Sequence, residues 1–237
     1  MKPLGEVLFR KSGRAKRLRI TIKENREVIV TLPKNVSFSY AEKIAREKSD
    51  WILKHLSKMK AEEKPKIVFD EKTKFKTRYH KLIIEKENRE NIGIAVYQGI
   101  IKIALPRSFD ITSEEAQQAV RLGVVEALRI EAKMSLPLKV EMFAEKFGLS
   151  YNRVFIKNLK TRWGSCSNRN NINLNLHLMR LPERLIDYVV LHELAHTVEK
   201  NHGKEFWALL ETFVKDARKI DKELGKYSTK NDLNIYG

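Results

Sequence analysis

The sequence predicts an α+β fold, and three observations support this prediction. Several segments alternate apolar and polar side chains, which is typical of β-strands. Other segments place apolar residues at the spacing of an amphipathic helix. The chain has 237 residues, 42% hydrophobic and 32% charged, so it is long enough to bury a core as one domain or two. In chain order, the segments are a strand pair at 17–33, a helix at 39–58, strands within 79–106, helices at 113–132 and 140–149, strands at 153–159 and 171–179, and a helix from 182.

The N-terminal part of the chain predicts a β-hairpin followed by a helix. Residues 17–33 alternate on both sides of Glu24-Asn25, where we expect the turn. Apolar residues at helical spacing follow from Ser39 to about Lys58. The charged segment at 60–65 ends in a proline and is typical of a linker.

The hairpin and helix pattern recurs after this linker. Two strand-like runs, 79–86 and 100–106, precede a second helical segment, and placing Leu32-Pro33 over Leu105-Pro106 aligns the two patterns at an offset of 73 residues. We interpret this as an internal duplication, with chance similarity between regular α+β segments as the alternative. The predicted organisation is a basic N-terminal α/β region at 1–135, formed by modules at about 1–62 and 66–135, and a C-terminal region at 136–237.

The chain carries a large positive charge. Its 47 basic and 30 acidic side chains give a net charge of +17. Residues 1–70 contain 18 basic and 9 acidic residues and therefore contribute +9 of this charge. Such an excess favours contact with a polyanion, which includes nucleic acid, a nucleotide or an acidic protein. The alternative is a solvated surface without a ligand, because no nucleic-acid-binding motif accompanies the charge.

The sequence predicts a cytoplasmic protein that does not enter a membrane. No apolar run approaches the roughly 18 residues of a transmembrane helix, and residues 1–20 lack the apolar stretch of a signal peptide. The single cysteine, Cys166, excludes an internal disulfide and fits a reducing compartment. We expect it to be a small buried residue and not a nucleophile. Nothing in the sequence indicates an oligomeric state.

The C-terminal region leads up to a buried helix. Residues 171–179 alternate apolar residues with asparagines and His177, which predicts a strand with one buried and one polar face. His177 on the polar face either reaches a neighbouring site or lies at the surface. Pro182 opens the helix that follows, and its apolar residues predict burial in the core: Leu185, Ile186, Val189, Val190, Leu194 and Val198.

This helix contains an H-E-x-x-H sequence, His192-Glu193-Leu194-Ala195-His196. Residues four apart on a helix lie about 6 Å apart along its axis and on the same face, so His192 and His196 can converge on one metal ion. Glu193 lies beside them, where it can take a proton from a metal-bound water without being a ligand. The alternatives are two core histidines satisfied by hydrogen bonds, or a purely structural zinc site.

A catalytic zinc needs a third protein ligand and an open position. On a straight helix Glu199 would lie about 10 Å along the axis from His192, too far to share one ion. The turn Asn201-His202-Gly203 offers an imidazole after a change of direction, so His202 is the preferred third ligand, with Glu205 and Glu211 as weaker candidates. We expect one Zn²⁺ per chain, although three imidazoles also suit other divalent metals.

The sequence resembles the YgjP-like (DUF45) family of metal-dependent hydrolases, which is related to the SprT-like and WLM zincin metallopeptidases. The resemblance covers nearly the whole chain and rests on TRWGSC at 161–166, DYVVLHELAH at 187–196 and NHGKEFW at 201–207, together with the basic hairpin, Asp50-Trp51-Ile52 and FKTRYHKLIIEK at 75–86. It implies a zincin-like metallopeptidase core with an N-terminal β-hairpin and helix extension, together one YgjP-like domain. It also assigns metal binding to His192, His196 and His202, and general base chemistry to Glu193.

This sequence also departs from related patterns. The spacing from His196 to His202 equals that of the metzincins, but Glu199 stands where their turn glycine would be, which favours a longer helix followed by a separate turn. Arg162 and Trp163 belong to the family's most recognisable loop. They either shape the pocket, with Arg162 holding an anionic group, or serve as a salt-bridge partner and a core anchor.

Three functional hypotheses follow. The first is a zinc metallopeptidase that cleaves peptide bonds, with the strand at 171–178 binding the substrate main chain. The second keeps the site but acts on a phosphoanhydride or another anionic substrate such as a nucleotide, which the basic surplus and Arg162 would suit. The third is a module in residues 1–70 that docks on nucleic acid and accompanies the hydrolase site.

Overall fold

The computed structural model of the chain describes residues 7–23, 26–61 and 67–229. The chain divides into two compact units, Met1–Pro65 and Lys66–Gly237. Both units combine strands and helices, so the predicted α+β class is confirmed. Within the described residues, no helix is long and apolar enough to cross a membrane.

The first unit contains a three-stranded sheet and two helices. Strands β1 (Val7–Ser12), β2 (Arg19–Ile22) and β3 (Val28–Pro33) lie in the order β1-β3-β2. The predicted hairpin is confirmed as the antiparallel pair β2–β3, and its turn residues Glu24-Asn25 lie outside the described residues. The sequence did not reveal β1, which runs parallel to β3.

The single helix predicted at 39–58 is in fact two helices, α1 (Phe38–Glu47) and α2 (Ser49–Ala61). They meet at Lys48, whose φ of -94° and ψ of 11° leave the helical region. A periodic pattern cannot show such a break because α2 resumes helical spacing at once. The predicted linker at 60–65 begins inside α2 and lies outside the described residues from residue 62.

The second unit begins with strands β4 (Lys81–Glu87), β5 (Gly93–Tyr97) and β6 (Ile100–Pro106). The two predicted strand runs are β4 and β6, but they are parallel and do not form a hairpin. The hairpin joins β6 to β5, which the sequence analysis missed. Its two-residue turn has positive φ at Gln98 (46°) and Gly99 (76°), as the twist of a tight hairpin requires.

The helix α3 (Glu114–Phe147) replaces the two helices predicted at 113–132 and 140–149. The Oγ of Ser113 caps its first turn, and Gly148 ends it with a positive φ of 63°. The helix continues through the predicted gap at 133–139, which includes Pro137. It therefore runs across the boundary proposed at 135/136, whereas the compact units divide at 65/66; the proposed modules stay a prediction.

The strands β7 (Val154–Lys157), β8 (Gly164–Cys166) and β9 (Ile172–Asn175) form a third sheet in the order β7-β9-β8. In each of the three sheets the first strand is parallel to the third, and the second is antiparallel to it. This recurrence accords with the hypothesis of internal duplication and extends the pattern to the C-terminal part of the chain.

The strand predicted at 171–179 ends at Asn175 and continues as a short 3-10 helix, Leu176–Arg180. Its polar face was predicted incorrectly, because Asn175 and His177 are both buried. Asn175 tolerates burial since its Nδ2 donates to the carbonyls of Leu159 and Arg162. The helices α4 (Glu183–Ala195), α5 (Lys204–Phe213) and α6 (Ala217–Leu224) complete the unit.

Candidate metal centre

The helix α4 holds the H-E-x-x-H sequence in the core of the second unit. Its residues are buried on most sides, and five of the six apolar residues predicted to embed it do so; Val198 is the exception, with 55% exposure. Val198 is exposed because α4 ends at Ala195, with His196 as its C-cap. The longer helix inferred from Glu199 is therefore incorrect, and the chain turns directly after His196.

That early turn brings a third imidazole to the helix. The Nε2 of His202 lies 2.9 Å from the Nε2 of His192 and 3.1 Å from the Nε2 of His196. Among the described residues, these three side chains form the one group of histidine, cysteine and acidic residues placed to share an ion, with ligand atoms within 4.8 Å of one another. The competing third ligands are placed otherwise: both carboxylate oxygens of Glu211 accept from backbone N–H groups at the start of α6.

The hydrogen bonds of His196 and His192 define which ring nitrogens are free to bind. The Nδ1 of His196 donates to the carbonyl of Glu199 at 2.9 Å, so its Nε2 carries the lone pair in the neutral ring. The Nδ1 of His192 lies 3.5 Å from the Tyr188 hydroxyl, which in turn donates to Asp221 at 3.0 Å. Burial and the charge of Asp221 raise the pKa of Tyr188, which keeps this hydroxyl protonated.

Burial also favours the neutral form of His192 and His196. It lowers the pKa of His192 to about 3, with the two neighbouring histidines acting in the same direction. Burial likewise lowers the pKa of His196. Neutral rings with free lone pairs are the form in which histidine binds a metal.

Phe206, which the sequence analysis missed, forms an apolar wall behind the three rings. It is fully buried on α5, and its ring centroid lies 4.9 Å from that of His192, 4.4 Å from that of His196 and 4.7 Å from that of His202. An apolar wall excludes water and lowers the local dielectric constant. Its position four residues after His202 was visible, but phenylalanine carries no ligand chemistry that would single it out.

Glu193 lies beside the histidines in a confined position. It is only 5% exposed, and a Cβ at Gly164 would lie 2.5 Å from its Oε1. Only glycine therefore fits at this point of β8 without displacing the carboxylate. The TRWGSC motif contains this glycine, but its chemistry-bearing neighbours Arg162 and Trp163 were the predicted site residues.

Burial raises the pKa of Glu193 to about 8, and the positive charge of Arg162 opposes this shift. Among the described residues, none donates a hydrogen bond to its buried Oε2. A buried carboxylate oxygen without a donor is costly unless another group, such as a water, satisfies it.

The structure places the other predicted site residues as follows. Arg162 is exposed and close enough to Glu193 to influence its pKa. Trp163 is half-buried and packs against the core of the unit. His177 is not at the surface: it is 1% exposed, and its ring nitrogens contact Asn158 Oδ1 and Arg180 Nη1. Cys166 is half-buried, and burial raises the pKa of its thiol, which does not favour a nucleophile.

The strand edge beside the site is β8, not the predicted strand at 171–178. That strand is largely β9, the central strand, which is paired on both sides. Hydrogen bonds run from Asn175 N to Trp163 O and from Ser167 N to Asn171 O, on either side of β8. In an antiparallel pair only every second residue directs its backbone N–H and C=O groups toward the partner strand, here β9. The backbone groups of Gly164 and Cys166 therefore point toward the open edge, next to Glu193.

The donor set fits a zinc ion. Two nitrogens bound to tetrahedral Zn²⁺ at about 2.0–2.1 Å lie roughly 3.3–3.4 Å apart. The Nε2 atom of His202 lies at similar distances, 2.9 and 3.1 Å, from those of His192 and His196. Three imidazoles leave one position for water or substrate, and the unsatisfied Oε2 of Glu193 is a suitable acceptor for such a water. The nitrogen ligands and the glutamate thus match an open, catalytic type of site and not a closed structural one.

One protein family and two crystal structures are similar to this chain. The crystal structures of two metallopeptidase zymogens are similar to parts of the chain. Pyrococcus abyssi abylysin has 26% identity and a TM-score of 0.34, and the match covers 37% of this chain and 90% of abylysin. Methanocaldococcus jannaschii jannalysin has 23% identity and a TM-score of 0.36, and the match covers 39% of this chain and 95% of jannalysin. A search of curated protein sequences finds no significant match. The sequence profile described as YgjP-like, metallopeptidase domain, matches residues 16–227. The chain therefore belongs to the YgjP-like metallopeptidase family.

Proposed function

We propose that the protein is a zinc-dependent metallopeptidase with His192, His196 and His202 as ligands and Glu193 as general base. The observation that carries this proposal is the convergence of three Nε2 atoms beside a buried carboxylate whose Oε2 has no donor among the described residues. Membership of the metallopeptidase family supports it independently.

A Zn²⁺ held by His192, His196 and His202 would polarise the scissile carbonyl and lower the pKa of a water bound to it. Glu193 takes a proton from the attacking water and later returns it to the leaving amine. Without a bound metal, burial raises the pKa of the Glu193 carboxyl, which favours its holding this proton between the two steps. Phe206 and the buried body of α4 keep bulk water away from one side of the site.

The substrate would bind as an added strand on β8. The outward N–H and C=O groups of Gly164 and Cys166 offer hydrogen bonds to an extended peptide, as in β-strand addition. Because Gly164 also contacts Glu193, main-chain binding on this edge would bring a peptide bond close to the general base. A protein or peptide is therefore the proposed substrate class.

A metal-dependent phosphohydrolase remains the second candidate, and Arg162 is the observation in its favour. An exposed guanidinium close to the general base could bind a phosphate group of a nucleotide. The open edge of β8 would have no role in phosphate hydrolysis, so we rank the phosphohydrolase second.

A substrate panel separates the two candidates. Zinc-loaded wild type, Glu193→Gln and the control Glu205→Gln, which changes an exposed acid next to His202, are given unfolded protein and nucleoside triphosphates. We expect wild type and the control to cleave peptide bonds, and Glu193→Gln to lose about 10²–10⁴-fold in rate. Phosphate release without peptide cleavage would support the second candidate and overturn the first.

A further inference from the structure

The strongest feature outside the metal centre is a cationic face on the first unit. The side chains of Val28, Val30 and Leu32 on β3 are buried on one face of the sheet, together with Ala41 and Ala45 of α1. Thr31 lies on the opposite face because side chains alternate along a strand.

Two arginines flank Thr31 on that opposite face. Arg10 of β1 and Arg19 of β2 are both register partners of Thr31, so they lie on either side of it. Adjacent strands are about 4.8 Å apart, and this places the two arginines across roughly two strand spacings.

The loop between β1 and β2 adds further cations. Arg14, Lys16 and Arg17 are exposed in it and, together with Arg19, line an open groove of about 640 Å³. We name these four residues and Arg10 the arginine face. The remaining groove residues are Ser12, Ala15, Leu18, Thr21 and Thr31.

In the described part of the chain, no carboxylate pairs with these cations. The groove is lined by no acidic residue, and residues 7–23 contain seven basic side chains and no acidic one. Within the described ranges, none of the five cations forms an ion pair. Cations held this close together repel one another, which favours binding of an anion that neutralises several at once.

The composition of the face indicates the anion. Arginine supplies four of its five cations, although lysine outnumbers arginine in the chain as a whole. Guanidinium groups bind phosphate oxygens through paired hydrogen bonds, and the hydroxyls of Ser12, Thr21 and Thr31 can add more. A membrane-docking surface would pair such cations with protruding apolar side chains, but the groove offers only Ala15 and the half-buried Leu18.

We propose that the arginine face binds the phosphate backbone of nucleic acid, without base sequence preference. The side chains that line the groove have no aromatic ring on which a base could stack, so the contacts are with phosphates alone. This inference concerns the first unit and holds whether or not the second unit is a peptidase.

The test measures binding of the full chain to fluorescently labelled DNA of about 20 nucleotides, single-stranded and duplex, at several salt concentrations. The test variant is Arg14→Gln, Arg17→Gln, Arg19→Gln, and the control is Lys43→Gln, Arg46→Gln, Lys48→Gln, which removes the same charge from exposed positions around α1. The wild type should bind with a log–log salt slope of about -3 to -5. The test variant should lose about tenfold or more in affinity and about 2–3 from the slope, while the control loses less than about threefold.

Equal losses in the two variants would overturn the proposal, since binding would then depend only on net charge. So would the absence of DNA binding by the wild type, including the case in which it binds vesicles containing phosphatidylserine instead. If the wild type binds DNA, the form that it binds more tightly, single-stranded or duplex, is the preferred ligand of the arginine face. Should the triple variant fold poorly, Arg17→Glu in the exposed loop is compared with Lys43→Glu, and the former should lose more affinity.

Discussion

At the scale of single residues, the close approach of Gly164 to Glu193 should fix the position of the proposed general base. A Cβ at position 164 would lie 2.5 Å from the Oε1 and 2.9 Å from the Cδ of Glu193. We expect Gly164→Ala to displace the carboxylate and reduce peptide cleavage about 10²-fold or more, while zinc content is unchanged. Gly225→Ala is the control, because its Cβ would make only ordinary contacts. Full activity in Gly164→Ala would show that the position of Glu193 does not depend on this glycine.

The hydrogen-bonded series Asp221–Tyr188–His192 should orient a metal ligand. Partners of this kind fix the ring of a ligating histidine, and their loss typically costs 10–100-fold in metal affinity. Asp221→Asn is therefore expected to weaken zinc binding by about tenfold, measured by competition with a chelator. The matched change Glu223→Gln, on the same helix, breaks only an ion pair with Arg184 and should leave the affinity unchanged. Equal affinities in both variants would remove Asp221 from the ligand support.

The buried His177 should make the fold sensitive to acid. Burial lowers its pKa from about 6.5 to about 4, with the charge of Arg180 acting in the same direction. Below pH 6.5 the unfolded chain binds a proton that the folded chain does not accept, so stability falls as the pH decreases toward 4. Between pH 7 and pH 5 this amounts to about 2 kcal/mol.

Urea unfolding of wild type and His177→Gln at these two pH values measures this contribution. The variant is expected to be less stable at pH 7, because it loses the contacts with Asn158 and Arg180. Between pH 7 and pH 5 the variant should lose about 2 kcal/mol less of its free energy of unfolding than the wild type loses. A loss of the same size in both proteins would contradict a depressed pKa for His177.

At the scale of elements, α3 can pack closely on β6 because Gly123 faces the sheet. A Cβ there would lie 2.9 Å from both Ile101 Cγ2 and Ile103 Cδ1. Gly123→Ala is expected to lower the free energy of unfolding by about 1–3 kcal/mol through overpacking, despite the better helix propensity of alanine. Leu122→Ala, on the exposed side of the same helix, should cost less. A higher free energy of unfolding in Gly123→Ala would contradict this prediction, because it would show that Ile101 and Ile103 move to accommodate the added methyl group.

The elements also show where reading the sequence fails. The hairpin at β2–β3 and the buried helix α4 were predicted correctly, because each is defined by a strong local period. The strand β8 has three residues and owes its conformation to pairing with β9, so no local pattern reveals it. Likewise α3 continues through Pro137, where a local rule predicts an end, because its flanking residues Leu136 and Val140 are buried in the core.

At the scale of the whole molecule, the proposed metal centre and the arginine face lie in different compact units. The proposed metal ligands and general base lie within the 11 residues from His192 to His202, so the sequence alone could indicate them. The residues that position them, such as Gly164, Phe206 and Asp221, come from other elements and meet the site only in the folded chain. The basic surplus was visible as a number, but its concentration on one sheet face required the register of β1, β2 and β3.

The central claim is that His192, His196 and His202 hold one catalytic zinc that acts with Glu193. The most direct test measures zinc content and peptide cleavage in the same preparations of wild type, Glu193→Gln and His202→Ala. We expect one zinc per chain with cleavage in the wild type, one zinc without cleavage in Glu193→Gln, and loss of both in His202→Ala. Retention of zinc and cleavage in His202→Ala, or of cleavage in Glu193→Gln, would contradict the account.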